Sequence, residues 1–185
     1  MFSSPAAYGA AVRVLVLLAG GLLVVSVLGA PAGAAPTRFL VSSPAFAPGA
    51  MIPTGFTCDA EDVPPPLRWS GVPAGAVELA LLVEDLDTGR RPFVQWVAWG
   101  IDPAAGGLPE GVVPADVHEG RNSTGRDGYL GPCPPAGSTA HRYRFTLEAL
   151  RRPLGLAPGV TAATLLTAVR RTVLARAQLV GRYER

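Results

Sequence analysis

The chain contains no lysine, and only two cysteines and two histidines among its 185 residues. Each shortage excludes something. All 16 basic residues are arginines, scattered along the chain and set against 14 acidic residues. A nucleic-acid partner normally needs a clustered basic patch, so that class is set aside. No Cys-x-x-Cys or His-x-x-x-His spacing occurs, so neither a zinc site nor any other metal or cofactor framework is expected. No internal repeat and no linker divides the chain after its N-terminal stretch.

That stretch is short of charge. Arg13 is the only charged residue among the first 37, and Val14–Leu28 is almost purely apolar before the small-residue run Ala30–Ala35. A positive residue, an apolar core and an Ala-x-Ala-like site make the pattern of a secretory signal. The expected division is a signal peptide at 1–34, a short tail at 35–42 and one domain at 43–185. Cleavage is expected after Ala34 or Ala35, with an exported protein of the cell envelope or the exterior as the product. The alternative is an uncleaved anchor, since the uncharged stretch is long enough to span about 30 Å of hydrocarbon. Gly20, Gly21 and the abrupt change of composition favour cleavage. The junction carries no cysteine for a lipoprotein anchor.

In an oxidising compartment Cys58 and Cys133 read as one disulfide closing a loop of about 75 residues. The spacing leaves open whether their Cα atoms come within reach. The alternative is a Cys133 thiolate paired with His141 for nucleophilic catalysis.

The remaining pattern is that of a mostly β protein. Val77–Glu84 is an apolar run of strand length, and Phe93–Ile101 is aromatic and β-branched. Arg142–Leu150 alternates, with Tyr143, Phe145, Leu147 and Ala149 on one face and Arg142, Arg144, Thr146 and Glu148 on the other, which predicts a half-buried strand. Leu179–Tyr183 suits a short last strand. One helix is expected, capped by Thr161, with Leu165, Leu166, Val169, Val173, Leu174 and Ala177 as its apolar stripe and Gly181 just past its end. The expected architecture is a β-sandwich of antiparallel sheets with one or two peripheral C-terminal helices.

Functional groups concentrate on loops held by rigid strands. Asp85-Leu86-Asp87 ends one strand, with Gln95 and Trp96 close behind it. Gly131-Pro132-Cys133-Pro134-Pro135 is a stiff turn leading to His141 and Tyr143. His118 is expected to be exposed. Asn122-Ser123-Thr124 matches a glycosylation sequon.

Six pieces occur in order: Phe56-Thr57-Cys58-Asp59, Pro64-Pro65-Pro66-Leu67, Trp69-Ser70-Gly71-Val72-Pro73, Gly120-Arg121-Asn122, Gly131-Pro132-Cys133-Pro134-Pro135 and His141-Arg142-Tyr143. Together they resemble the phosphatidylethanolamine-binding protein family, in its bacterial Raf kinase inhibitor-like branch. The resemblance runs from about Ser43 to Tyr183. It implies a β-sandwich with a small pocket for an anion such as phosphate or a phospholipid head group. The pocket set it implies here is Asp85, Asp87, Gln95, Trp96, Pro132, Pro134, His141 and Tyr143.

Three departures stand out. The family's Asp-Pro-Asp turn reads Asp85-Leu86-Asp87, and Gln95 stands where a histidine is expected. The Gly-x-His-Arg motif reads Thr139-Ala140-His141-Arg142, without its glycine. Leu86 in place of proline should loosen its loop. Gln95 carries no charge, so anion binding should be weaker than in relatives with two histidines. The leading expectation is a binding protein with no catalytic residue. The alternative is a protein-interaction module that inhibits a protease or kinase through the pocket-rim loops, and a Cys133–His141 enzyme comes third.

Overall fold

The computed structural model describes residues 38–185, so the apolar Val14–Leu28 run and the expected cleavage site lie outside the described residues. Strands β1 (Leu40–Ser42) and β2 (Leu67–Ser70) pair antiparallel, with Val41 opposite Trp69. The apolar runs form β3 (Glu78–Asp85) and β4 (Phe93–Ile101), followed by the short β5 (Gly107–Leu108) and β6 (His118–Glu119). β7 (His141–Leu150), the helix α1 (Ala162–Val169) and β8 (Val173–Tyr183) complete the order. One antiparallel sheet runs β1-β2-β5 and the other β6-β4-β3-β7-β8. Leu40–Ser42, assigned to a tail by sequence, is therefore a strand, held because Phe39 and Val41 bury their side chains.

The larger core lies between the sheets, where Val41, Leu67, Trp69 and Leu108 meet Leu81, Trp96, Phe145, Leu147 and Leu179. Each such burial stabilises by about 1.5–3 kcal/mol relative to exposure. The far face of the larger sheet offers Ala80, Leu82, Val97 and Trp99, which Leu165 and Val169 of α1 cover. The result is the expected β-sandwich with one peripheral helix among the described residues. No helix among them is long and apolar enough to cross a membrane.

The helix is shorter than its stripe predicts. Thr161 does cap it, accepting the N–H of Thr164 at 3.3 Å, but α1 stops at Val169 and residues 173–183 are strand. Val169, Val173 and Ala177 fit a helical period, whereas Ala175, Ala177, Leu179, Gly181 and Tyr183 fit an alternating one. The strand prevails because β8 then pairs with β7 along its whole length and turns that alternating set toward the core. Gly181 is not a helix terminator. A Cβ there would lie 2.6 Å from Ile52 and 2.8 Å from Phe46, so glycine answers close packing.

Pairing with β8 also changes the polar face of β7. Glu148 is buried against Arg176, whose Nε donates at 2.7 Å, and Thr146 is buried beneath Gln178. That face is not solvated throughout, as alternation predicted; long cross-strand side chains close over it.

Candidate ligand-binding site

Because β3 and β7 run antiparallel, the end of one and the start of the other meet, with Asp85 opposite Tyr143. Asp85 is only 2% exposed, and its Oδ2 lies 2.8 Å from Nδ1 of His141. Its other oxygen accepts the N–H of Asp87 at 2.9 Å. With Nδ1 held by the carboxylate, Nε2 is the ring nitrogen left for another partner. Asp85 thus fixes the ring's orientation.

The Leu86 turn has a tie that its sequence did not suggest. Leu86 donates its N–H to the carbonyl of Arg142 at 2.9 Å, a bond that proline could not make. Asp87 accepts the Arg142 backbone N–H at 2.8 Å, Nε at 3.0 Å and Nη2 at 2.6 Å. Its carboxylate is therefore occupied in clamping the loop to β7. The Arg142 hydrogen bonds hold the Asp87 carboxyl down from its ordinary 3.8 to about 2. A depressed folded-state pKa stabilises above the unfolded value and loses that stabilisation as pH falls through the folded one. The melting-temperature advantage of the wild type over Asp87→Asn should accordingly vanish between about pH 4 and about pH 2. The advantage should be small, because both side chains are well exposed and screened. An advantage that persists undiminished at the acid end would assign it to something other than this pair.

A β-bulge places Gln95. Val83 pairs with Trp96 and Glu84 with Val94, leaving Gln95 as the extra residue of β4. Val94 and Val97 pack with the helix-side cluster while Trp96 belongs to the inter-sheet core. Alternation from Val94 then turns Gln95 to the same side as Trp96. Gln95 is 3% exposed, and its Oε1 has no hydrogen-bond partner among the described residues. The Tyr143 hydroxyl faces Asp85 without a well-formed hydrogen bond; burial pushes its pKa up, and the charge and proximity of the Asp85 carboxylate add to the shift. Tyr143 therefore stays a donor.

Trp96 and Tyr143, expected at a pocket rim, are fully buried instead, at 1% and 0% exposure. Trp96 donates its indole N–H to Glu119 at 2.6 Å and meets Tyr129 edge-on. With that N–H taken by Glu119, Trp96 has no free polar group to offer a ligand.

The proline turn is fastened from below. Cys58 and Cys133 are disulfide-bonded, with Cα atoms 5.5 Å apart, and the Cys58 N–H donates to the Pro132 carbonyl. Pro132 and Pro134 are buried. A bonded Cys133 has no thiolate to offer, which removes the Cys133–His141 nucleophile. Sequence reasoning missed Asp62, which accepts the Gly131 N–H at 2.6 Å, and Tyr129, which donates to the Phe56 carbonyl at 2.7 Å. Gly131 is required here, since a Cβ would lie 2.7 Å from the Phe56 carbonyl oxygen and 2.8 Å from Thr57 Cα. Asp62 stood beside Glu61 with no spacing to mark it; its positive φ of 55° is visible only in the fold.

Other candidates sort themselves. Asn122 is buried, and its amide donates to the Gly128 carbonyl while its oxygen accepts from Thr124, so the sequon is a turn device. His118 is exposed. Among the described residues no three His, Cys, Asp or Glu side chains converge as a metal site would need.

Comparison with known proteins gives a consistent result. Residues 42–184 match the family model described as phosphatidylethanolamine-binding protein. The chain is 47% identical over 144 residues to a Mycobacterium tuberculosis protein named "Putative lipoprotein LppC", covering 78% of this chain and 71% of that one. It is 42% identical over 146 residues to a UPF0098 protein of Methanothermobacter thermautotrophicus, covering 76% and 95% of the two chains. The crystal structure of Escherichia coli YbcL, described as a member of the mammalian PEBP family, superposes with a TM-score of 0.75 at 26% identity, covering 80% of this chain and 99% of that one.

Proposed function

Since this chain belongs to the phosphatidylethanolamine-binding protein family, we propose that it is an exported binding protein that holds a small anionic group at His141. The ligand class is phosphate or a phospholipid head group. The observation that carries this reading is the Asp85–His141 pair, which leaves Nε2 of His141 for an outside partner at the sheet end that also holds the Gln95 side chain and the Tyr143 hydroxyl. His141 supplies a donor that gains charge on protonation, Tyr143 a neutral donor, and Gln95 an amide.

Export is supported by the signal-like Val14–Leu28 run and by the lipoprotein name of the mycobacterial relative. No cysteine precedes Cys58, so an acylated cysteine at the N-terminal junction is not part of the proposal.

Titration of the purified chain with phosphate and with phosphoethanolamine tests the reading. Binding should be weaker than micromolar, and Gln95→His should tighten it by about tenfold once the new ring is charged. Absence of any saturable binding overturns the anion site. Sub-micromolar affinity in the wild type overturns the weakening assigned to Gln95.

A further inference from the structure

Between Glu148 and Glu184 the chain carries six arginines and no acidic residue. Folding gathers four of the six. Arg151 and Arg152 leave β7, Arg170 and Arg171 leave α1, and both turns close on Thr172. The Arg151 N–H donates to the Thr172 carbonyl at 2.9 Å, and the Arg152 N–H to its hydroxyl oxygen at 3.0 Å. All four are exposed, and none forms an ion pair among the described residues, whereas Arg142, Arg144, Arg176 and Arg185 are each held by a carboxylate. The acidic residue bonded to this region, Glu78, is 8% exposed and accepts the Leu154 N–H, so its charge is turned inward.

Two adjoining grooves run beside the cluster. One of about 440 Å³ is floored by Leu156, Ala163 and Ala168. The other, of about 370 Å³, is walled by Pro153 and Leu154. Arg171 borders both and Arg152 the second. Apolar concavity rimmed by unpaired guanidinium groups suits a chain that brings an apolar side chain and carboxylates together.

We propose that this face of α1 docks an acidic peptide segment of a partner protein, with an apolar side chain seated over Ala163 and Ala168 and carboxylates on Arg152 and Arg171. A lipid surface is the poorer fit. Insertion needs a cluster of large apolar side chains that protrude, and beside this face only Val77, bonded to Leu150, and Leu174 do so, at 53% and 38% exposure. The groove is lined by short side chains instead, Ala163, Thr164, Thr167 and Ala168. Arginine suits the task because its planar fork takes a carboxylate through two parallel bonds.

Selection of random phage-displayed peptides on the chain, followed by anisotropy titration of a recovered peptide, tests the proposal. The expected consensus sets aspartate or glutamate beside an apolar residue. Affinity should fall steeply with salt and by about tenfold in the double variant Arg152→Ser, Arg171→Ser, as loss of two partly exposed pairs implies. That variant should keep the wild-type melting temperature and the phosphate titration at His141, so failure here is distinguishable from failure of the anion site. Recovery of no acidic consensus, or equal affinity for wild type and variant, overturns the proposal. Arginine-dependent sedimentation with phosphatidylglycerol vesicles, without an acidic consensus, overturns it in favour of a membrane surface.

Discussion

Exchange of Cys58 and Cys133 for serine should lower the unfolding free energy by about 4 kcal/mol, as loop-entropy bookkeeping gives for a bridge of this span. The cysteines are 75 residues apart, and the closed loop contains β2 through β6 and the whole Asp85–Trp96 segment. Uncrosslinked, the unfolded chain regains the freedom of that loop, while the native state loses little packing, because Cys133 is exposed. For a domain whose total stability is about 5–15 kcal/mol this is a large share. Urea unfolding of the oxidised chain, the reduced chain and the double serine variant measures it. The latter two should share a midpoint well below the first, and coincidence of all three midpoints would show that the bridge does not constrain the unfolded state. Phosphate affinity should fall in the same variants, since the bridge anchors the turn that leads to His141.

Replacement of His141 by alanine should remove phosphate binding and also destabilise the fold by about 1–3 kcal/mol. Asp85 would remain buried at 2% exposure without its charge-bearing partner, keeping the Asp87 N–H and the neighbouring Tyr143 hydroxyl. An anion arriving there would meet an uncompensated carboxylate. The companion His141→Gln separates the two effects. A glutamine amide can still donate toward Asp85, so it should recover much of the stability, but it carries no charge and should leave phosphate binding at least about tenfold weaker than wild type. Calorimetric titration and thermal melting of the three proteins decide the matter. Wild-type affinity in His141→Gln would mean that the imidazole is not the group that holds the anion.

Both predictions rest on a site that was only partly visible in the residues. The strands Phe93–Ile101 and Arg142–Leu150 were legible because aromatic, β-branched and alternating runs have few other uses. That Asp85 and His141 share one site was implied by the family resemblance, and the antiparallel pairing of β3 with β7 accounts for it. The side shared by Gln95 and Trp96 was not legible. Strict alternation would separate them, and only the bulge opposite Val83 and Glu84 brings them together. For Leu86 the loss of a fixed backbone angle could be read from its identity, whereas the hydrogen bond its N–H makes to Arg142 depends on β7 lying alongside.

Taken alone, the sequence determined the family, the β-sandwich class, the principal strands and the two turns that meet at the site, because these follow from local periodicity and short motifs. Tertiary structure decided the rest. Residues 173–183 satisfy both a helical and an alternating period, and pairing with β7 selects the strand. The cysteines could have been free or bonded, and the approach of the segment after Phe56 to the proline turn joins them. The arginines looked scattered along the chain, and the two turns around Thr172 set four of them side by side. Each of these outcomes depends on contacts between residues far apart in sequence, which composition and spacing do not encode.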